Sequence, residues 1–465
     1  MKKRLAATGL ATLVALSMVG CTGGGASTTT APPSTTTAPS STAAPSTTVA
    51  PSTTATQDAF TQAMNTPTTL EFWTWVKDVD KEIAAFTAKY PAIKVNVTNA
   101  GQGGPQYTKL EAALQAGTGI PDVAQIEFQY IPTFRMLKAL RDIKPYVGDL
   151  AGLYPDWVIS QVSGEGGVWG IPQDTGPMGM LYRDDLLKTA NIPVPATYDE
   201  FAKAVTAYHA ANPTKSLVNM PSNDPGAWLG LFWQAGAKPF TYDGLQTVSI
   251  NLTSDPIKKV IDLWQPLVAS GAANVDPDWT DQWYAGLNDG TYASMLTAAW
   301  APMFLQGIAT DTSGKWRAAP LPQWDAAKPA SGNWGGSTDA VMAASINPIA
   351  AAELARFINQ DPTCADTLAK QQSLFPALNS VLKDPTWAND KPAFYGGQTV
   401  NQVFAQISQT VNVDFQWPPF LDFVYSNFND TFGKALADKG DLWAGMQAWQ
   451  TAVVDYAKQQ GFTVT

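Results

Sequence analysis

Seventeen tryptophans lie between Trp73 and Trp449 of this 465-residue chain, and several stand among polar or turn-forming neighbours instead of apolar runs. Trp73 and Trp75 close the segment Leu70-Glu71-Phe72-Trp73-Thr74-Trp75. Trp334 sits in Ser331-Gly332-Asn333-Trp334-Gly335-Gly336, and Trp417 precedes Pro418-Pro419. Most tryptophans in a folded chain belong to its core. A flat indole beside polar groups, however, suits the apolar C–H face of a pyranose, while carboxylates and amides hydrogen-bond its hydroxyls. Apolar platforms with a few fixed polar groups are what a small-molecule cleft needs. Bond-breaking chemistry has fewer candidates. The one histidine is His209, in the helical-looking Ala207-Tyr208-His209-Ala210-Ala211, and a single histidine cannot build both a nucleophilic triad and a zinc site. There is no Gly-x-Ser-x-Gly elbow, no Gly-x-x-x-x-Gly-Lys cradle and no Cys-x-x-Cys. Gly101-Gln102-Gly103-Gly104 lacks dinucleotide-binding spacing and reads as a flexible loop. No cofactor and no metal are expected. A pair of carboxylates leaves little trace in one sequence, so acid/base chemistry stays open on residues alone.

The elements that must position these residues can be read from periodicity. Leu70–Trp75 reads as a strand, Lys81–Lys89 as a helix ending before Pro91, and Ile93–Val97 as a second strand. Tyr107–Gln115 reads as a helix, Gly117-Thr118-Gly119-Ile120-Pro121 as a turn, and Val123–Phe128 as a third strand. This alternation predicts an α/β layer with a largely parallel sheet. Ligands of open α/β sheets bind beyond the carboxyl ends of strands. Trp75, Glu127 and Gln129 all fall at or just past such ends. From about Asp58 onward the chain has some 400 residues without a low-complexity break, too many for one core, which predicts two lobes.

The first 57 residues have another character. Lys2, Lys3 and Arg4 precede an apolar run from Leu5 to Val19, the layout of a secretory signal (residues 1–20). Met18-Val19-Gly20-Cys21 resembles the lipobox of bacterial lipoproteins, whose cysteine carries the lipid, and this implies Cys21 as the anchor. Two or more acyl chains, at about 0.8 kcal/mol per buried CH₂, hold a protein on a membrane. Thr22 to Gln57 contains no charge and consists almost wholly of Thr, Ser, Ala, Pro and Gly. Such a segment cannot bury enough surface to fold. It reads as a tether, with a reach between roughly 30 Å as a coil and about 110 Å fully extended.

Of the 29 basic residues three lie in the signal, leaving 26 against 39 acidic ones, a formal charge of −13. That surface disfavours nucleic acid and anionic lipid headgroups as partners. Cys364 is the one cysteine left after Cys21, so the body carries no disulfide framework, and it reads as a small buried apolar residue.

An ordered set of motifs adds a specific resemblance. Phe72-Trp73-Thr74-Trp75 is followed by Phe86-Thr87-Ala88-Lys89-Tyr90-Pro91-Ala92-Ile93-Lys94-Val95 and by Gly119-Ile120-Pro121-Asp122-Val123. Trp169-Gly170-Ile171-Pro172 leads to Leu181-Tyr182-Arg183-Asp184-Asp185-Leu186-Leu187, and Gly335-Gly336-Ser337 precedes Asn347-Pro348. Together, over nearly all of Thr68–Gly461, these resemble bacterial extracellular solute-binding proteins of the carbohydrate class, the maltose-binding-like partners of ABC importers. The resemblance implies a two-lobe, periplasmic-binding-protein-like (type II) α/β fold with a hinge and a sugar in the interlobe cleft. One lobe would hold residues 58–174 and 323–368, the other 175–322 and 369–465. The first crossing would follow Asp174, with Thr175-Gly176-Pro177 as a chain reversal, and a second would lie near Pro320-Leu321-Pro322. Implied ligand contacts are Trp75, Glu127, Gln129, Asp174, Trp300, Trp334 and Trp417, with Trp228, Trp233 and Trp279 as weaker matches. The implied protein is a monomer on the outer side of the cell membrane, with a carbohydrate ligand, permease partners and no enzymatic step. Two rival readings carry the same features: a secreted glycoside hydrolase using an acidic pair such as Glu127 with Asp174, and a sugar sensor or adhesion lipoprotein without transport.

Overall fold

A computed structural model describes residues 53–465. The signal, Cys21 and the tether as far as residue 52 lie outside the described residues. A helix, Thr53–Asn65, begins where the tether was expected to run on to Gln57.

The six elements predicted after it form as expected. Strands Thr68–Trp73, Ile93–Thr98 and Val123–Glu127 enclose helices Asp80–Lys89 and Gly104–Ala116. The helix Asp80–Lys89 opens with Asp80 and Glu82 and closes with Lys89, each charge opposing the near pole of the helix dipole. Gly117 ends the second helix in the left-handed region at φ 66°, where a side chain would be strained. Leu70 and Phe72 are buried on one face of their strand, alternating with exposed Thr69 and Glu71, whereas Val123, Ala124 and Ile126 are buried on both faces, as a strand inside a sheet covered on both sides requires.

The main sheet has eight strands and is mixed instead of mostly parallel. In spatial order come Ile93–Thr98, Thr68–Trp73, Val123–Glu127, Asn333–Val341, Ile171–Arg183, Tyr292–Ala298 and Ser216–Val218. The first three are parallel; Asn333–Val341 runs antiparallel to both its neighbours. The strand Ile171–Arg183 is the spine. Its first half pairs with Asn333–Asp339, and its second half pairs with Tyr292–Ala298 on one edge and Trp316–Pro320 on the other.

Three sequence expectations are corrected here. Thr175-Gly176-Pro177 makes no chain reversal, because the strand runs straight through it. Gly176 is needed for another reason: a Cβ there would sit 1.9 Å from the Trp334 carbonyl oxygen, so the neighbouring strand could not approach. The second crossing is not at Pro320-Leu321-Pro322. Gln323 exchanges backbone hydrogen bonds with Ala196 and Tyr198, and Gln234 donates to the Pro322 carbonyl, which keeps this stretch with the second strand group. The return passage is made by Asn333–Val341. The stretch after residue 368 also stays longer with the first group, since Lys81 donates to Gln371 and Gln372 donates to the Asp78 carbonyl.

Each strand group has its own aromatic packing. Phe86 meets Phe357 edge-on at 5.5 Å on one side; on the other, Trp228 meets Trp264 at 5.5 Å and Phe432 at 5.0 Å.

Candidate functional site

The site is built at the level where the spine strand passes from one strand group to the other. After Trp73 the chain turns, and the Thr74 hydroxyl and the Trp75 backbone N–H both donate to Gln125 Oε1, at 2.7 and 3.0 Å. Trp75 is thereby fixed just past the carboxyl end of its strand, half-buried and edge-on to Tyr107 at 6.4 Å. Gln125 donates in turn to Gln173 at 2.8 Å and to Ser337 at 2.9 Å. One buried amide thus ties together three strands and the chain after a fourth. Such a network holds geometry only if its members find partners, and Gln173 completes it by donating to Asp339.

Along this level Ser337 is paired with Glu127 on one side and with Asp174 on the other. The two carboxylates therefore flank one strand, their backbones about 10 Å apart by strand spacing. Asp174 accepts from both the backbone N–H and the hydroxyl of Ser337. Glu127 accepts from the Tyr107 hydroxyl at 3.0 Å, while its own N–H donates to that hydroxyl at 2.9 Å. Gly103, at φ 60°, lies against the same carboxylate: a Cβ there would be 3.5 Å from Glu127 Oε2. The glycine loop is thus a wall of the site.

Three residues along from Ser337 the same strand carries Trp334, at most ~11 Å away. Trp334 meets Trp300 at 5.1 Å, and Trp300 meets Trp279 at 5.9 Å. The Trp300 indole N–H donates to the Trp334 carbonyl at 2.9 Å. Trp279 is 40 % exposed and has φ 62°, a strained conformation for a bulky residue and one that concentrates at ligand sites. Its indole N–H reaches Asp224 Oδ2 at 3.4 Å. Asp224 caps the helix Pro225–Gln234, and Asp278 lies beside it, 4 % exposed and with Oδ1 lacking a hydrogen-bond partner.

The charges of these groups act on one another. Burial foremost, then the charges of Asp174 and Asp224, push the Glu127 carboxyl up to about 7 against hydrogen bonds from Tyr107 and Gln129. Burial and the Asp224 charge push Asp278 up to about 8. The Tyr425 hydroxyl, half-buried on Leu421–Phe428, is raised by burial and then by Asp224, Tyr130 and Glu127. Carboxyls in this state both accept and donate hydrogen bonds near neutrality, which suits hydroxyl-rich ligands.

Of the expected contacts, Trp75, Glu127 and Asp174 are brought together at the strand ends through Tyr107 and Ser337, and Trp300, Trp334 and Trp279 form a tryptophan cluster whose Trp334 lies on the same strand as Ser337. Gln129 is 7 % exposed and supports Glu127. Trp417, Trp228 and Trp233 are corrected. Trp417 is 4 % exposed, donates to Gln161 Oε1 and packs on Phe415 and Trp233. Trp228 and Trp233 are fully buried with their N–H groups on the Pro221 and Asn412 carbonyls. None of the three offers a free face. Asp224, Asp278, Tyr107 and Tyr425 were not anticipated. Asp224 was legible, since Asp before Pro is a helix-start signal. The His209 ring hydrogen-bonds the Lys215 carbonyl, and Cys364 is buried, its thiol pushed up to about 12.

A pH dependence follows. Glu127, Asp278 and Asp339 (also held near 7 by burial) bind protons more tightly in the folded than in the unfolded chain. Stability is then full below about pH 4.5 on their account and falls as pH rises through 7 to 8. Stability measured by denaturant should therefore rise on going from pH 8 to pH 5.5, and rise less in Glu127→Gln. An equal rise in that variant would contradict the assignment.

Among the described residues, no group of three His, Cys, Asp or Glu is placed to hold a metal ion, and no helix is long and apolar enough to cross a membrane. The family described as bacterial extracellular solute-binding protein matches residues 81–394. A lactose-binding protein of Rhizobium radiobacter is 26% identical over 355 residues, covering 72% of this chain and 80% of its own. An arabinooligosaccharide-binding protein of Halalkalibacterium halodurans is 22% identical, covering 74% and 79%. An ABC transporter-associated binding protein of B. animalis subsp. lactis, solved with β-1,6-galactobiose, superposes with a TM-score of 0.74 at 31% identity, covering 86% of this chain and all of that one. With the two-lobed α/β fold of these sugar binders, and a family match over most of its length, this chain belongs to the bacterial extracellular solute-binding proteins.

Proposed function

We propose that this protein captures a neutral di- or oligosaccharide in the cleft between two lobes and hands it, unaltered, to an ABC importer. The first lobe comprises roughly residues 58–174 and 336–376, and the second comprises most of the remainder, with the spine strand as the first crossing. The observation that carries this reading is the row Glu127–Ser337–Asp174 lying beside the Trp279–Trp300–Trp334 cluster. Indole faces take the C–H face of a pyranose, and carboxylates and amides take its hydroxyls. Sugar touching both lobes favours the closed arrangement by its differential affinity for it. Micromolar capture corresponds to about 8 kcal/mol, which two or three stacked faces and a few hydrogen bonds to charged groups, about 1.5–3 kcal/mol each, can provide. Relatives named for lactose and arabinooligosaccharide binding, and one solved with a galactobiose, support the substrate class.

A thermal-shift screen of mono-, di- and oligosaccharides tests it, since a cleft ligand stabilises the fold by mass action, about 2.7 kcal/mol at a hundredfold excess over Kd. A raised melting temperature with at least one sugar is expected; no shift with any member would overturn the reading. Anchoring at Cys21 is proposed with it. Cys21→Ala should move the protein from the membrane fraction to the medium, whereas a membrane-bound variant would contradict the lipid anchor.

A further inference from the structure

A hydrogen bond outside the row and the tryptophan cluster joins the two strand groups: the Tyr130 hydroxyl donates to Asp422 Oδ1 at 2.7 Å, across 292 residues of chain. Tyr130 belongs to the first group. It follows the strand Val123–Glu127, is 8 % exposed, and packs on Tyr107 with ring centroids 4.2 Å apart. Tyr107 in turn holds Glu127 through its hydroxyl. Asp422 belongs to the second group. Its helix, Leu421–Phe428, is fixed there by the Trp449 indole N–H on the Val424 carbonyl at 3.0 Å and by Phe428 against Phe432 at 5.7 Å, and Phe432 also packs on Trp228.

Beside this bond the two groups are not packed together. An open groove of about 420 Å³ is lined by Glu111, Leu114 and Thr133 from the first and by Phe420, Asp422 and Tyr456 from the second. Two carboxylates therefore border one gap, and burial and then the Asp422 charge push the Glu111 carboxyl up. Like charges on opposite walls resist closing. The Tyr130 hydroxyl offsets that resistance by donating to one of them. Burial foremost, then the bond to Asp422, hold this hydroxyl above the ordinary tyrosine range, so it stays a donor at neutral pH.

We propose that Tyr130 and Asp422 form a latch between the lobes, which sets how long a bound sugar is held by stabilising the closed arrangement without touching the sugar. This rests on the saccharide reading above. The test is stopped-flow tryptophan fluorescence with β-1,6-galactobiose, lactose and arabinotriose, giving association and release rates separately. With the sugar that binds, Tyr130→Phe keeps the ring on Tyr107 and should release it about tenfold faster, the scale of one lost hydrogen bond to a charged group. Its association rate should be unchanged, because capture precedes closing. Asp422→Ala should match it, and the double variant should release no faster than either single one, since one bond is lost only once. Asp422→Asn keeps an acceptor and should stay within about threefold of the wild type. Wild-type release from Tyr130→Phe, losses that add in the double variant, or Asp422→Asn as fast as Asp422→Ala would overturn the latch while leaving the saccharide reading intact. Binding of no sugar by the wild type would count against the saccharide reading itself, and the latch would fall with it.

Discussion

Replacing Trp300 by alanine is expected to weaken saccharide binding at least tenfold while the fold survives. The indole is half-buried, packed edge-on to Trp334 at 5.1 Å and beside Trp279 at 5.9 Å, and its N–H is fixed on the Trp334 carbonyl. It is therefore a rigid platform that a ligand need not order. A sugar hiding about 100 Å² of that face, roughly half of what an aromatic side chain buries, gains about 2.5 kcal/mol at ~25 cal/mol per Å². Each 1.4 kcal/mol is a factor of ten. Trp300→Phe should recover part of the loss, since it keeps an aromatic face. Titration showing wild-type affinity in Trp300→Ala would remove the tryptophan cluster from the site.

The largest effect on stability is expected at a tryptophan that the sequence resemblance had matched to a ligand contact. Trp233 is fully buried, stacked on Phe415 at 4.3 Å with rings 7° apart, and edge-on to Trp157 at 6.0 Å. Its N–H satisfies the Asn412 carbonyl at 2.6 Å. Trp233→Ala leaves a cavity and an orphaned carbonyl, and such truncations cost about 3–5 kcal/mol. Denaturant unfolding should show a lowered midpoint with an unchanged slope. Trp417→Ala should behave the same way, through its loss from Phe415, Trp233 and Gln161. Native-like stability with lost binding would return these residues to the cleft.

The difference between these two kinds of tryptophan marks how far the sequence could be read. The opening strands and helices were legible because each is short, strongly patterned and closed by Pro or Gly, so local signals suffice. Strand ends then placed Trp75 and Glu127 together without any partner sequence. Sorting the remaining tryptophans needed tertiary information. Trp228 and Trp233 lie on Pro225–Gln234, which is apolar nearly all round, the signature of a fully buried helix and a signal that points away from the family match. Trp279 follows Pro277-Asp278, and nothing in that segment announces its left-handed backbone at φ 62° or its exposure. The return crossing was misplaced for a related reason. Pro320-Leu321-Pro322 looks like a break, yet the passage uses Gly335 and Gly336, at φ 78° and 92°, inside a strand. A Cβ on Gly336 would come within 2.7 Å of the Phe128 ring, so close packing, invisible in sequence, dictates glycine there. Asp224 and Asp278 are 54 residues apart in number, and nothing in either local segment announces that they meet.

The central claim is that a saccharide is gripped between the Glu127–Ser337–Asp174 row and the Trp279–Trp300–Trp334 cluster and released with every bond intact. The most direct measurement titrates the full-length protein with β-1,6-galactobiose, lactose and arabinooligosaccharides and then recovers the bound sugar for chromatography. Saturable binding of one ligand per chain, with the same compound eluted, is the result expected. Shortened products in the eluate, or no binding across the panel, would contradict it.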